Sequence, residues 1–237
     1  MVRNQSFKSR FRFLCLLSLL VCSCSKGYMD MEPSWQWNAD YKVSASQDPY
    51  QCIGTVRSRE EVRYIQLDAV SAGAVVNPEV LVEIPDGTRV FAQYRLVQTS
   101  GYPAFCDGAI LVDWASPVDV GEIRYDMQAL EGDPVSLVLD WITSLEDGFL
   151  TLHYTVLSSG TVNHSFSLYP SVDPYAFRLV HDAHGDQGRS QTDGIICFPV
   201  GDLLPQDTGD GSVTLSLTYL NLEHIQKTLT IEYRSPK

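Results

Sequence analysis

Three stretches in the second half of the chain alternate apolar and polar residues with a period of two, and that spacing admits few folds. In 149–157, Leu150, Leu152, Tyr154 and Val156 point one way while Thr151, His153 and Thr155 point the other. In 213–219, Val213, Leu215, Leu217 and Tyr219 alternate with Thr and Ser, and Leu229, Ile231 and Tyr233 alternate with Thr228, Thr230 and Glu232. A helix turns every 3.6 residues and would scatter such a pattern around its circumference; a strand gathers it on one face. Adding 135–142, 161–169, 175–182 and 194–200 gives about seven strands in roughly a hundred residues, the strand content of an immunoglobulin-like sandwich. The Cys…Trp…Cys spacing of antibody domains is missing, so only the architecture carries over.

The first half also reads as strands, shorter and less regular. Residues 51–57, 62–67, 79–84, 88–97 and 108–114 are rich in Val, Ile, Leu and Tyr. Turn residues such as Pro78, Pro85-Asp86-Gly87 and Ser100-Gly101 separate them. Five strands in some seventy residues suit a small closed barrel, with the OB fold as one option. The expected fold class is therefore all-β. An OB-like barrel over 45–122 is followed by an immunoglobulin-like β-sandwich over 123–237.

Ahead of both lies a leader. Arg3, Lys8, Arg10 and Arg12 precede an apolar run from Phe13 to Val21, and Ser23 closes it before Cys24. A basic head, a short apolar stretch and a small residue at the cut site form a secretory signal, here residues 1–23. The run is far shorter than the roughly 20 residues of a membrane-spanning helix. Val21-Cys22-Ser23-Cys24 resembles a lipobox, which makes Cys24 the expected acylated N-terminus, with Cys22 as a poorer rival behind bulky Val21. Two or three acyl chains hold a protein firmly on a bilayer where one is marginal. The expected location is the cell envelope, on the outer membrane, with residues 24–44 as a tether carrying Trp35 and Trp37.

Removing the leader takes four of the 17 basic residues and none of the 29 acidic ones, leaving 13 against 29, a net charge of −16. Such a surface repels phosphate backbones, which excludes nucleic acid as a partner. Three cysteines remain beyond Cys24. An oxidising compartment permits a disulfide, with Cys52 and Cys106 as the candidate pair and Cys197, between Ile196 and Phe198, as a buried apolar side chain.

One run is familiar. Phe177-Arg178-Leu179-Val180-His181-Asp182-Ala183-His184-Gly185-Asp186 resembles a strand-and-turn motif of the NigD-like lipoproteins, and His164-Ser165-Phe166-Ser167-Leu168 resembles the strand before it. Gly194-Ile195-Ile196-Cys197-Phe198 and Leu229-Thr230-Ile231-Glu232-Tyr233 resemble later strands of that family. The resemblance is sharp over 164–186 and diffuse before residue 120. It implies an OB-like domain, a C-terminal β-sandwich, a lipoprotein signal and a role in bacteriocin immunity. Val180 stands where the family usually has Arg and Asp182 where it usually has Asn, so the turn-holding role of that Arg does not transfer.

Catalytic spacings are missing from the sequence. It contains no Gly-x-Ser-x-Gly, His-Glu-x-x-His, Walker loop or Gly-x-Gly-x-x-Gly. Asp207-Thr208-Gly209-Asp210-Gly211 lacks the spacing and glutamate of an EF-hand and reads as a hairpin loop. One constellation stands out. If 161–169 and 175–182 form a hairpin that sets Leu168 opposite Phe177, then His164 falls opposite His181 on the apolar face. His184 and Asp186 follow in the next turn, and the four residues are expected to form a polar pocket at one edge of the sandwich. The pocket either satisfies its own buried polar groups or binds a divalent metal; the first reading is the one adopted, with no metal and no cofactor.

Function then divides into three classes. The first is a non-catalytic envelope protein that acts by contact with a protein partner, as a toxin-immunity factor or accessory subunit. The second is a glycan-binding accessory lipoprotein, which requires exposed aromatics grouped on one concave surface; Trp35, Trp37, Tyr102 and Trp114 are candidates, although Trp114 is expected in the core. The third is a hydrolase assembled from two carboxylates on different strands.

Overall fold

The computed structural model describes residues 41–43, 48–67, 71–126, 132–209 and 211–234. The leader, Cys24 and the tether up to residue 40, with Trp35 and Trp37, lie outside the described residues.

The first module uses β1 (Lys42–Val43), β2 (Tyr50–Arg59), β3 (Val62–Gln66), β4 (Ala72–Val75), β5 (Arg89–Gln98) and β6 (Gly108–Pro117). β2, β3 and β4 form an antiparallel meander, β4 pairs with β6 in parallel, and β6 pairs with β5, which returns to β2. The ring β2-β3-β4-β6-β5 is closed, and its strand order is that of the OB fold. Closure removes open edges, with β1 covering part of β5. Inside, Val56, Ile65, Val75, Val90, Ile110 and Val112 are buried.

Two readings of this half are corrected. Residues 79–84 are not a strand: Pro78–Leu81 is a 3-10 turn, and Leu81 and Ile84 plug the barrel with almost no exposure. Proline supplies the φ of a helical first turn and lacks the N–H that a strand would use. The missing strand is β4, Ala-Gly-Ala-Val, whose small residues carry no strand signal. They are small because a Cβ on Gly73 would lie 2.9 Å from the Ile110 side chain. The cysteine pair is also corrected: Cys52, Cys106 and Cys197 are all free and buried. Cys52 sits on β2 opposite Ala92, whereas Cys106 precedes β6, and β3 and β4 separate β2 from β6 on that side of the ring. Burial pushes the three thiols up, Cys52 to about 12 and the others to about 11, so they are unreactive.

The second module is a sandwich of two sheets. Its strands are β7 (Asp119–Val120), β8 (Glu122–Ile123), β9 (Ser136–Val138), β10 (Ser144–Glu146), β11 (Phe149–Ser158), β12 (Ser165–Pro170), β13 (Ala176–Asp182), β14 (Ser190–Pro199), β15 (Val213–Leu220) and β16 (Gln226–Tyr233). One sheet runs β10-β11-β14-β7 with β9 also on β11; the other runs β16-β15-β13-β12-β8. The alternating residues form the core between them: Leu150, Leu152 and Val156 face Phe166, Leu168, Leu179, Leu215 and Leu217. Each such side chain stabilises the fold by about 1.5–3 kcal/mol. Between β7 and β8 the chain passes from one sheet to the other at Gly121, where a Cβ would lie 2.2 Å from the Phe198 ring.

Barrel and sandwich form one compact unit. The outward residues Ile53, Thr55, Arg89 and Phe91 of the barrel lie on the outward residues Phe149, Thr151, Ile195 and Cys197 of the β11–β14 sheet, and Val118 and Ile142 fill the join. Arg89, 1% exposed, sits in the middle of this seam. It donates to Thr55 Oγ1 (3.1 Å) and Thr151 Oγ1 (3.4 Å), lies 5.8 Å from the Phe149 ring centre, and its Nη2 has no partner. Burial drives its pKa below the ordinary arginine value, while the Glu146 and Asp147 carboxylates pull the other way. At the rim Arg57 bridges to Asp147 at 2.8 Å.

The double substitution Thr55→Val and Thr151→Val keeps the packing but strips the guanidinium of hydrogen bonds. Stability should fall by about 3–5 kcal/mol, because a buried charge is left uncompensated. Urea unfolding measures it, and a loss under about 1 kcal/mol would show that the seam does not depend on Arg89.

Candidate functional site

β12 and β13 form the expected hairpin, but the register is two residues off the expected one. Leu168 pairs with Leu179, Phe166 with His181 and Pro170 with Phe177. The connection closes through Ser171 N–H to Ala176 O, with Tyr175 in the left-handed region at φ 61°, and this sets the shift. A slip of two preserves which face each residue occupies, so His181 still points to the core side. His164 lies one residue ahead of β12 and reaches His181 from there.

The result is a linear network. His181 Nδ1 lies 3.0 Å from Pro134 O, His181 Nε2 lies 2.9 Å from His164 Nδ1, and His164 Nε2 lies 3.1 Å from Asp186 Oδ2. The Phe166 ring stacks on His181 at 4.8 Å and 19°. Asp186 also accepts from the Ser159 amide (2.8 Å), the Gly188 amide (2.8 Å) and Ser158 Oγ (3.2 Å). The Ser159 amide above all, against the opposing effect of burial and with help from His164 and Gly188, holds the Asp186 carboxyl well below the ordinary range. Asp133, a residue the sequence did not single out, bridges to His181 through the backbone and accepts the Ala183 amide at 2.7 Å.

Burial lowers the His181 pKa, with the charge of His164 also opposing its protonation. All four ring nitrogens of the pair have a partner within the protein, and the His164 and Asp186 side chains are 7% and 2% exposed. None is left to take a proton from a substrate or to bind a metal, and no group of three ligands is disposed to hold one among the described residues.

His184 does not join the network. Its backbone is left-handed at φ 50°, and its side chain lies outside, 3.4 Å from Asp182 and about half exposed. Asp182 Oδ1 accepts the His184 amide at 2.7 Å, which an Asn oxygen at that position can also do.

Sequence reasoning missed a second feature. Beyond Phe91 the barrel and sandwich sheets part, leaving a cleft of about 410 Å³ lined by Phe91, Ser116 and Pro117 on one side and by Ile142, His153, Asp193 and Ile195 on the other. Trp114, expected in the core, instead faces outward and meets Phe91 edge-on at 5.2 Å; Trp141 lies 6.1 Å from the same ring. His153 Nδ1 is 2.8 Å from Asp140 Oδ2. Against the upward push of burial, the His153 ring and the Ile142 amide lower the Asp140 pKa.

Residues 117–233 match the family model described as the NigD-like C-terminal beta sandwich domain. No curated protein matches the chain. Among solved structures it is similar to a Parabacteroides distasonis protein described provisionally as toxin related, at 22% identity and a TM-score of 0.65, covering 79% of this chain and 94% of that one. A NigD-like immunity protein of Bacteroides caccae aligns at 14% identity and 0.53, covering 81% and 99%. A Bacteroides fragilis protein described provisionally as a lipoprotein aligns at 12% and 0.54, covering 80% and 100%. At these identities the likeness is one of fold.

The network makes a pH-dependent contribution to stability. His181 titrates in the fold below its ordinary 6.5, so the unfolded chain takes up a proton that the fold refuses; the stability is present above 6.5 and lost as pH falls. Asp186, also lowered, adds a further loss below 3.8. His181→Phe should cost about 1–3 kcal/mol at pH 7, by leaving Pro134 O and His164 Nδ1 without their partner, and should flatten the decline from pH 7 to 5. Urea midpoints at pH 5, 6 and 7 check both; an unchanged slope would show that His181 does not carry the pH dependence.

Proposed function

Because residues 117–233 belong to the NigD-like C-terminal β-sandwich family, we propose that this protein is a non-catalytic lipoprotein of the cell envelope that works by contact, with immunity against a secreted toxin as its leading role. The observation that carries this reading is the closed state of the histidine network. The chain's most enzyme-like constellation uses its ring protons and acceptors internally and keeps them from solvent. Perturbed, clustered titratable groups often mark catalysis, but structural networks shift pKa values in the same way. The relatives described as an immunity protein, toxin related and a lipoprotein support the same role.

In this reading acyl chains on Cys24 hold the protein to the outer membrane, and the two β modules present a rigid acidic surface to a protein partner. Rigidity favours such a role, since little ordering entropy is lost when the partner docks. Cys24→Ala should abolish incorporation of an alkyne-tagged palmitate and shift the protein from the membrane pellet to the soluble fraction. Deleting the gene should raise sensitivity to the strain's own secreted toxin at least tenfold in inhibitory dose; unchanged sensitivity would sink the immunity role while leaving the anchor intact.

A further inference from the structure

We propose that the cleft between the barrel and the sandwich is a binding site for a neutral saccharide. The assignment goes beyond the immunity role and does not depend on it.

The cleft has the make-up of a small-ligand site: a concave space of about 410 Å³, an apolar floor and a few polar groups that converge on it. Phe91 forms the floor. Trp114 and Trp141, 37% and 54% exposed, stand against Phe91 at the margin of the cleft, outside its lining, and extend its apolar floor into an exposed aromatic patch of the kind that marks an interaction surface. Trp114 is also held still: its Nε1–H donates to Gln93 Oε1 at 2.8 Å while its ring meets Phe91 edge-on. A pre-ordered ring loses little entropy when a ligand stacks on it. The apolar C–H face of a pyranose fits a flat aromatic face, and its hydroxyls need acceptors. Asp119 and Asp193 bring carboxylates to the lining, Asp193 already accepting from Thr155 Oγ1 at 2.6 Å, together with the Ser116 hydroxyl and the His153 ring.

Charge decides which saccharide. Asp119 and Asp193 line the cleft, Asp140 stands beside it on His153, and no Lys or Arg is among the lining residues. The chain as a whole carries −12. Uronic acids, sulfated sugars and phosphorylated lipid headgroups are therefore repelled, and a neutral sugar is the ligand that fits.

The test uses the full acylated protein in phospholipid nanodiscs, since sugar-based detergents would occupy the site. Maltotetraose, cellotetraose, xylotetraose, mannotetraose and chitotetraose are titrated by calorimetry, with tetragalacturonate as the anionic counterpart. At least one neutral tetrasaccharide should bind saturably with Kd below about 1 mM, an affinity within reach of a few stacked and hydrogen-bonded groups. Trp114→Ala and Trp141→Ala should each weaken binding about tenfold, with thermal midpoints unchanged within a few degrees, and tetragalacturonate should not bind. Saturation by none of the five neutral sugars would overturn the assignment, as would binding that survives both substitutions or equal binding of the anionic sugar.

Discussion

A buried cation joins the two halves of this molecule. Arg89 leaves the outer face of one β-barrel and ends among the threonines and Phe149 of a sheet that belongs to another module. Burying a guanidinium is costly, and with Nη2 unpartnered Arg89 recovers only part of that cost. What surrounds it decides the balance. Ile53, Val118, Ile142 and Cys197 exclude water, and Arg57–Asp147 closes one rim. The seam is thus an apolar contact with a polar pin whose geometry admits one register of barrel on sandwich. The cleft exists because of that register: the sheets are pinned at Arg89 and diverge past Phe91.

The histidine line at the other end of the sandwich solves a different problem. Segment 132–134, the β12 entry and the turn after β13 meet at one edge, each bringing backbone groups that no ladder pairs. His181 caps the Pro134 carbonyl, and Asp186 collects the Ser159 and Gly188 amides. His164 joins the two, with Nδ1 on His181 and Nε2 on Asp186. His and Asp in line invite comparison with a catalytic triad, but in a triad one nitrogen faces a nucleophile that faces a substrate. Here both ends of the line terminate on the protein itself.

The alternating strands of the sandwich were legible because both sheets bury one face, so residues such as Leu150, Leu152, Leu215 and Leu217 declare their direction. The nearness of His164 and His181 followed from the same parity, and it survived a two-residue error in register. The failures have physical causes. β4 is built from residues too small to signal a strand, since their packing partner Ile110 supplies the volume. His184 sits in the motif but is turned outward by a left-handed backbone that only the folded turn determines. Arg89, Trp114 and Asp133 depend on contacts with Thr151, Phe91 and Ala183, across 62, 23 and 50 residues of sequence, and local sequence pattern does not reveal such partners.

The acidity of the chain acquires meaning only with these placements. Spread evenly, an excess of carboxylates is a solubility device and names no partner. Here some of it is committed: Asp186 to His164, Asp147 to Arg57, Asp140 to His153. Asp119 and Asp193 stand in the cleft with no cation among its lining residues, beside the same aromatic rings that the pinned seam leaves uncovered. Cations placed at these carboxylates would satisfy them internally, as elsewhere in the fold. Their absence leaves the carboxylates as acceptors for hydroxyls, as Asp193 already is for Thr155 Oγ1, and the low-dielectric walls of Phe91 and Ile195 strengthen such bonds. The field that turns phosphate away from the whole surface is, at this one concavity, selective for a ligand with donors and no charge.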